Sequence, residues 1–133
     1  MSANQAKVHI TGVRTVGVPV TDQDRALEFY VGKLGFAKGI DMAFGPGERW
    51  VEVMPPGSPT SIALVRAHDG APAGIDTQVR LTTDSAADAH AELKARGVDV
   101  DAEILLYPVP MFAFRDQDGN RLVIVEAPKS QVR

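Results

Sequence analysis

The chain has 133 residues, 44% hydrophobic and 23% charged, which is the size and composition of one soluble globular domain. It contains no cysteine, so disulfides, thiolate metal sites and a cysteine nucleophile are excluded. The net charge of −3 and the dispersed basic residues argue against a nucleic-acid partner. Neither a membrane span of ~20 apolar residues nor a signal peptide is visible, so we expect a cytoplasmic protein without a membrane partner.

The first half of the chain predicts one helix and four strands. Residues 14–21 alternate valine with other residues, which is typical of a strand. Thr21 or Asp22 then caps an amphipathic helix that ends at Gly35. Three further strands are predicted at 36–43, 49–54 and 60–66, separated by turns rich in glycine and proline.

The second half repeats this order of elements. Residues 77–83 alternate, Asp84 or Ser85 caps a second helix, and Gly97 ends it. Strands are predicted at 98–105, 111–116 and 121–127, and the sequence DQDGN supplies the tight turn before the last of them.

The repeated order predicts an α+β fold in a single domain, 1–133, made of two βαβββ modules. The modules span about 8–66 and 75–127, with a linker at about 67–74. One helix covers only one face of each four-stranded sheet, so the other face must meet the other module or a module of another chain. Two such faces form a cleft, and clefts are where ligands bind.

This duplicated pattern resembles the vicinal oxygen chelate superfamily, which includes glyoxalase I, extradiol dioxygenases and bleomycin-binding proteins. The first module opens with VPVTDQDRALEFYVGKLGF and the second closes with FRDQDGNRLVIVE, and the resemblance covers roughly residues 8 to 127. It implies the glyoxalase/bleomycin resistance fold. It also implies a homodimer, because members of the superfamily often bury exposed sheet edges by dimerising.

Metal-binding members of that superfamily place up to four ligands, usually His, Glu or Gln, on the first and fourth strands of the modules. The corresponding positions here are Thr15, Ala63, Gln78 and Val123. Ala and Val offer no donor atom, and one Thr with one Gln does not make a stable divalent site. We therefore predict no cofactor, and a divalent metal at a shifted site is the alternative.

Strand alternation predicts which side chains form the floor of the cleft. Val51 and Val53 share one face of their strand, so Trp50 and Glu52 are expected on the other face, toward the cleft. The other ligand contacts predicted by position are Thr15, Gln78, Arg80, Phe112 and Phe114. An aromatic and apolar floor with few polar groups suits a flat or partly apolar small molecule.

Two features leave alternatives open. An isolated Glu52 in an apolar cleft would have a raised pKa and suit a proton acceptor, whereas an ion pair with Arg80 would lower that pKa. Residues 104–114 are apolar but broken by two prolines, which predicts a loop over the cleft or at a subunit contact. In that loop Tyr107 either donates to a ligand or packs in the core or an interface.

The sequence thus predicts a protein that binds a small aromatic or amphipathic molecule in the cleft between modules, without a metal. The alternative is a glyoxalase- or dioxygenase-type enzyme, acting as a lyase, an isomerase or a ring-cleaving enzyme. Such an enzyme would use a metal site shifted to Glu52 and Gln78, or Glu52 alone as the catalytic base. The binding function is the favoured interpretation.

Overall fold

A computed structural model of the chain describes residues 8–127, so both ends of the predicted domain 1–133 lie outside the described residues. Two four-stranded sheets, each with one helical segment, make up an α+β fold. Their order is that of the two predicted βαβββ modules. No helix among the described residues is long and apolar enough to cross a bilayer.

The first module contains four strands and the first helix. The bounds are β1 Thr15–Val20, α1 Gln23–Leu27, β2 Ala37–Gly45, β3 Glu48–Met54 and β4 Ser61–Arg66. The sheet order is β1-β4-β3-β2, in which β1 and β4 are parallel and the other neighbours are antiparallel. One long edge of β1 is therefore without a strand partner in this sheet.

The first helix changes its winding halfway. Asp22 begins it as predicted, since its carboxylate accepts two N–H groups of the first turn. From Glu28–Lys33 the chain is a π-helix, in which the Leu34 N–H donates to the Phe29 carbonyl five residues earlier. Gly35, at φ 79°, ends it in a conformation that favours glycine. The sequence predicted the extent of this helix but not its π winding.

The second module has the same order of elements. The bounds are β5 Asp76–Thr83, α2 Ala86–Ala95, β6 Asp99–Val100, β7 Met111–Arg115 and β8 Arg121–Glu126. The sheet order is β5-β8-β7-β6, with β5 and β8 parallel. Ser85 is the N-cap of α2, because its hydroxyl accepts the Asp88 N–H. β5 is an edge strand, as β1 is in the first sheet.

The predicted strand 98–105 is wrong beyond Val100. At that point the Asp101 carboxylate accepts the Ala113 N–H at 3.2 Å, so a side chain takes the place of a backbone carbonyl in the ladder. The chain then leaves β7 and returns to it only at the isolated pair of Leu105 and Met111. The intervening segment is the loop that the two prolines predicted.

One hydrophobic core joins the two modules. It contains the helix-facing side chains of both sheets, Val18, Val20, Val51, Val53, Ile62, Leu64, Phe112, Phe114, Leu122 and Ile124. The Phe29 ring of the π-helix stacks on the Phe114 ring of β7, with 6.3 Å between ring centroids. The helix-bearing faces of the two modules therefore pack on each other, and the opposite face of each sheet lies on the outside of the chain.

A buried hydrogen-bond network links the modules beside this core. The Tyr30 hydroxyl donates to Asp116 Oδ2 at 2.7 Å, and the Asn120 amide donates to the same carboxylate and to the Pro19 carbonyl. Tyr30 and Asn120 are fully buried. Burial, together with the neighbouring Asp116, raises the pKa of Tyr30 well above its usual value, so the phenol keeps the proton that it donates.

We expect Tyr30→Phe to lower the free energy of unfolding by about 1–3 kcal/mol, because it removes one donor from a buried carboxylate and leaves the ring in place. Urea titration measures the change. Tyr107→Phe is the matched control, since that side chain is 88% exposed, and we expect a change within about 0.5 kcal/mol. Equal stabilities of the two variants would show that the Tyr30 hydroxyl does not hold the modules together.

Candidate functional site

The face of the first sheet that turns away from the helix carries Thr15, Trp50, Glu52 and Ala63, and is called the first outer face. The pairing of β1, β3 and β4 places these four side chains on one face. Val51 and Val53 are fully buried on the other face, which confirms the predicted alternation of side chains along β3.

Apolar side chains make an exposed platform on the first outer face. Met42 of β2 pairs with Trp50 across the strands, and Phe44 follows at a point where the pairing of β2 with β3 shifts register. Met42 and Phe44 are 59% and 60% exposed, whereas Trp50 is half-buried. An exposed apolar surface with an aromatic ring is the kind of surface on which a flat molecule can rest.

Glu52 fixes the indole ring of Trp50. The Glu52 side chain is buried, and its carboxylate accepts the Trp50 Nε1–H at 2.7 Å, the Ser61 hydroxyl at 2.9 Å and the Arg14 guanidinium at 3.2 Å. The hydrogen bond from Trp50, with the contacts of Ser61 and Arg14, outweighs the effect of burial and holds the pKa of Glu52 below its usual value of 4.5.

These contacts argue against Glu52 as a general base. The carboxylate is charged near neutral pH, and both of its oxygens already accept hydrogen bonds. The ion pair considered with Arg80 does not form, because the cation beside Glu52 is Arg14 of the same module. Glu52 is therefore a positioning residue for Trp50.

Sequence reasoning missed Arg14 and Ser61. Arg14 directly precedes β1, and Ser61 is the first residue of β4. The two residues come together because Thr15 of β1 lies opposite Ser61. The Ser61 N–H also donates to the Arg14 carbonyl at 3.0 Å. A predicted parallel pairing of these two strands with this register would have placed both residues next to Glu52 of β3.

The corresponding face of the second sheet carries Arg80, Thr82, Ala113 and Val123, and is called the second outer face. Arg80 lies opposite Val123 in the parallel ladder, and Ala113 lies opposite Val123 on the other side. Arg80 and Thr82 are exposed, whereas Ala113 and Val123 are buried. This face is thus an apolar floor bordered by polar side chains.

Gln78 lies at a bulge in β5. Its φ of 64° is rare for a residue with a side chain, and the pairing of β5 with β8 shifts register between Asp76 and Arg80. The bulge is held by two hydrogen bonds, one from the Gln78 N–H to Asp76 Oδ1 and one from Arg80 Nη1 to the Gln78 carbonyl. Strained backbone of this kind is common in binding surfaces.

The predicted cleft positions of Phe112 and Phe114 are wrong. Both rings are buried on the helix-bearing face, where Phe112 meets the His90 ring edge-on at 5.0 Å and Phe114 stacks on Phe29. Neither ring reaches the second outer face, so the aromatic character of the candidate site comes from the first module alone.

The misplacement is an error of one residue in aligning the third strands of the two modules. Glu52 lies opposite Ala63 in the first sheet, and Ala113 lies opposite Val123 in the second. Ala113 is therefore the counterpart of Glu52, and the phenylalanines on either side of it face the helices. The sequence offset between the modules is not constant, which hid this shift.

Tyr107 lies on the loop between β6 and β7 and is 88% exposed. Its neighbours Leu105 and Leu106 are 63% and 76% exposed. The prediction that Tyr107 packs in the core is therefore wrong. Its predicted contact with a ligand or with a second subunit stays a prediction. An apolar loop tip this exposed indicates a contact surface.

The four positions that hold metal ligands in related metalloproteins do not fit a divalent cation here. The Thr15 hydroxyl donates to the Ser61 carbonyl at 3.2 Å, and Ala63 and Val123 offer only methyl groups. Within residues 8–127, no three His, Asp or Glu side chains cluster closely enough to hold a metal ion. The shifted site with Glu52 and Gln78 stays a prediction, and in it the carboxylate of Glu52 would have to exchange the donors that it now accepts.

The predicted contacts fall into two groups within one chain. Trp50 and Glu52 lie on the first outer face, whereas Gln78 and Arg80 border the second. The unpaired edges of β1 and β5 meet at a groove of about 430 Å³, which Gly17 lines from one side and Arg80 from the other. A single chain therefore presents two half-sites with a groove between their strand edges.

Known proteins share this fold. Residues 8–124 match the family model described as Glyoxalase/Bleomycin resistance protein/Dioxygenase superfamily. A superfamily member from Sphaerobacter thermophilus DSM 20745 has a TM-score of 0.82 and 36% identity, over 89% of this chain and 98% of its own. TnmS3, an antibiotic binding protein from Streptomyces sp. CB03234, has a TM-score of 0.81 and 33% identity, over 91% and 99%. YetH of Bacillus subtilis (strain 168) is 28% identical over 119 residues, 88% of this chain and 99% of YetH.

We expect Glu52 to make stability sensitive to acid. Because its pKa in the folded chain is lowered from 4.5, its contribution to the free energy of unfolding is complete above that pH and is lost as the pH falls through the folded-state pKa. The stability difference between the wild type and Glu52→Gln should therefore be constant between about pH 5 and pH 8 and shrink below about pH 4. Denaturant titration at each pH measures it, with the exposed Glu48→Gln as control. A difference of the same size at acid and neutral pH would contradict the stabilised carboxylate.

Proposed function

Because the chain belongs to the glyoxalase/bleomycin resistance protein/dioxygenase superfamily, which confirms the resemblance drawn from its sequence, we propose that it binds a small aromatic or amphipathic molecule without a metal. The observation that carries this proposal is the indole of Trp50, fixed by Glu52 beside the exposed Met42. A ring that is already fixed loses little conformational entropy when a ligand stacks on it. The similarity to the antibiotic binding protein TnmS3 supports the same function.

The contacts of Glu52 favour binding over the enzymatic alternative. A glyoxalase- or dioxygenase-type enzyme would need Glu52 as a free base, or a metal held by Glu52 and Gln78. The Glu52 carboxylate instead orients a tryptophan ring, and Gln78 sits at a strained bulge on the other sheet. The four positions that hold metal ligands in related proteins are Thr15, Ala63, Gln78 and Val123 here. They supply one amide oxygen and one hydroxyl, which already donates to the Ser61 carbonyl.

We further propose that a second copy of the chain completes the site, as a homodimer. β1 and β5 each have an unpaired edge, and an unpaired edge is a template for strand addition from another chain. A partner whose second outer face lies against the first outer face of this copy would bring Trp50 and the partner's Arg80 to one site. The apolar side chains of Ile10, Leu106 and Tyr107, which are 76% to 88% exposed, supply further surface for burial in such a dimer.

Binding at the platform is tested by labelling the chain with 5-fluorotryptophan. Trp50 is the only tryptophan, so the protein gives one fluorine resonance, and a ligand resting on the indole shifts it. We expect planar aromatic compounds such as naphthalene-2-carboxamide, and members of an antibiotic panel, to shift this resonance saturably. Trp50→Ala should weaken their binding in calorimetry by about tenfold or more. Tyr107→Ala is the comparison variant, because it removes an exposed aromatic ring outside the platform. Failure of every compound to bind would refute the proposed function.

The composite site predicts that assembly and binding are coupled. Sedimentation should give a particle of twice the 14.2 kDa chain mass, and dilution below its dissociation constant should weaken ligand binding in parallel. Saturable binding of undiminished affinity to a monomer would show that one chain forms the whole site.

A further inference from the structure

We infer that the ligand carries an anionic oxygen, such as a carboxylate or a phenolate, next to its flat ring, and that Arg80 selects for it. This inference rests on the proposed function and names the ligand class of the same site. It follows from the pairing of charges on the two outer faces.

Arg80 is the unbalanced cation beside the second outer face. Arg115 pairs with Asp99 and with a second carboxylate at 3.0 Å each, and Arg121 pairs with Asp76 at 3.2 Å. Among residues 8–127, no carboxylate lies within ion-pair distance of Arg80. One charge on this face is therefore left for a partner from outside the chain.

Within residues 8–127, the first outer face has no free cation, and its one exposed carboxylate, Glu48, lies at the start of β3, where alternation places it on the face of Trp50 and Glu52. Its guanidinium, Arg14, is paired with the buried carboxylate of Glu52 at 3.2 Å, so the two charges compensate each other. Next to Trp50 the surface is apolar, with Met42 exposed. A ligand spanning both faces would therefore meet an aromatic platform without a free cation at one end and the guanidinium of Arg80 at the other.

The surroundings of Arg80 suit recognition of an anion. Arg80 is exposed and accessible to a ligand, and its strand neighbour Val123 and the adjacent Ala113 form an apolar floor beside it. Arg80 Nη1 donates to the Gln78 carbonyl at the bulge, and this contact restrains the guanidinium while its other nitrogens can donate to a ligand. A guanidinium keeps its charge and matches a carboxylate with two parallel hydrogen bonds.

Three naphthalene compounds that share one ring system test this inference. Calorimetry compares 2-naphthoate, which is anionic, with naphthalene-2-carboxamide, which is neutral, and 2-(aminomethyl)naphthalene, which is cationic. We expect 2-naphthoate to bind about tenfold more tightly than the carboxamide, and the amine to bind most weakly. The fluorine resonance of labelled Trp50 shows whether all three occupy the same platform.

Arg80→Gln should weaken 2-naphthoate binding by about tenfold and leave carboxamide binding within about twofold. Arg121→Gln is the matched control, because that guanidinium is already paired with Asp76, and it should preserve the preference for the anion. Salt provides a test on the wild-type protein that needs no variant. Raising the ionic strength should weaken binding of 2-naphthoate and leave that of the carboxamide unchanged.

The outcomes separate this inference from the proposed function. Equal affinities for all three compounds in the wild type, unaffected by salt, would overturn the role of Arg80 while binding at Trp50 stands. The same holds if Arg121→Gln removes the preference and Arg80→Gln does not. If no compound binds or shifts the Trp50 resonance, the proposed function fails and the inference fails with it.

Discussion

The hydrogen bond between Tyr30 and Asp116 fixes the arrangement on which the rest of this molecule depends. It joins the helix of the first module to the turn between the last two strands of the second, and Asn120 ties the same carboxylate to the carbonyl of Pro19. A buried carboxylate is stable only while its donors stay in place, so this network tolerates little sliding of one module over the other. It holds the helix-bearing faces together and leaves both outer faces turned away from the shared core.

The two outer faces have diverged into complementary halves. Glu52 of the first module corresponds in position to Ala113 of the second, and Gly17 corresponds to Arg80. The first face consequently offers aromatic surface whose guanidinium is already paired, whereas the second offers a small apolar floor with an uncompensated cation. Neither face alone encloses a molecule. In the proposed dimer, the first outer face of one copy and the second outer face of its partner would together form the site.

Alternation in the sequence predicted the strands and the side on which Val51 and Trp50 lie, because side chains in a pleated strand point to opposite faces by geometry. The same rule could not place Phe112, since an aromatic ring suits either face and the offset between the modules varies along the chain. The short β6 ends where the carboxylate of Asp101 replaces a backbone acceptor, and the π-helix carries Phe29, which stacks on Phe114 of the other module. Both are decided by tertiary contacts that local patterns do not contain.

The environment of Glu52 was also beyond the sequence, which left both a raised and a lowered pKa open. The lowered value follows from three donors that converge only after β1, β3 and β4 have paired. Burying a carboxylate costs free energy that paired donors offset only in part, so such a residue needs a purpose that an apolar side chain cannot serve. Ala113 shows that the same strand position in the second module forms a stable sheet without a charge. In the proposed function, the contribution of Glu52 is to orient the indole of Trp50, as a preorganised binding surface requires.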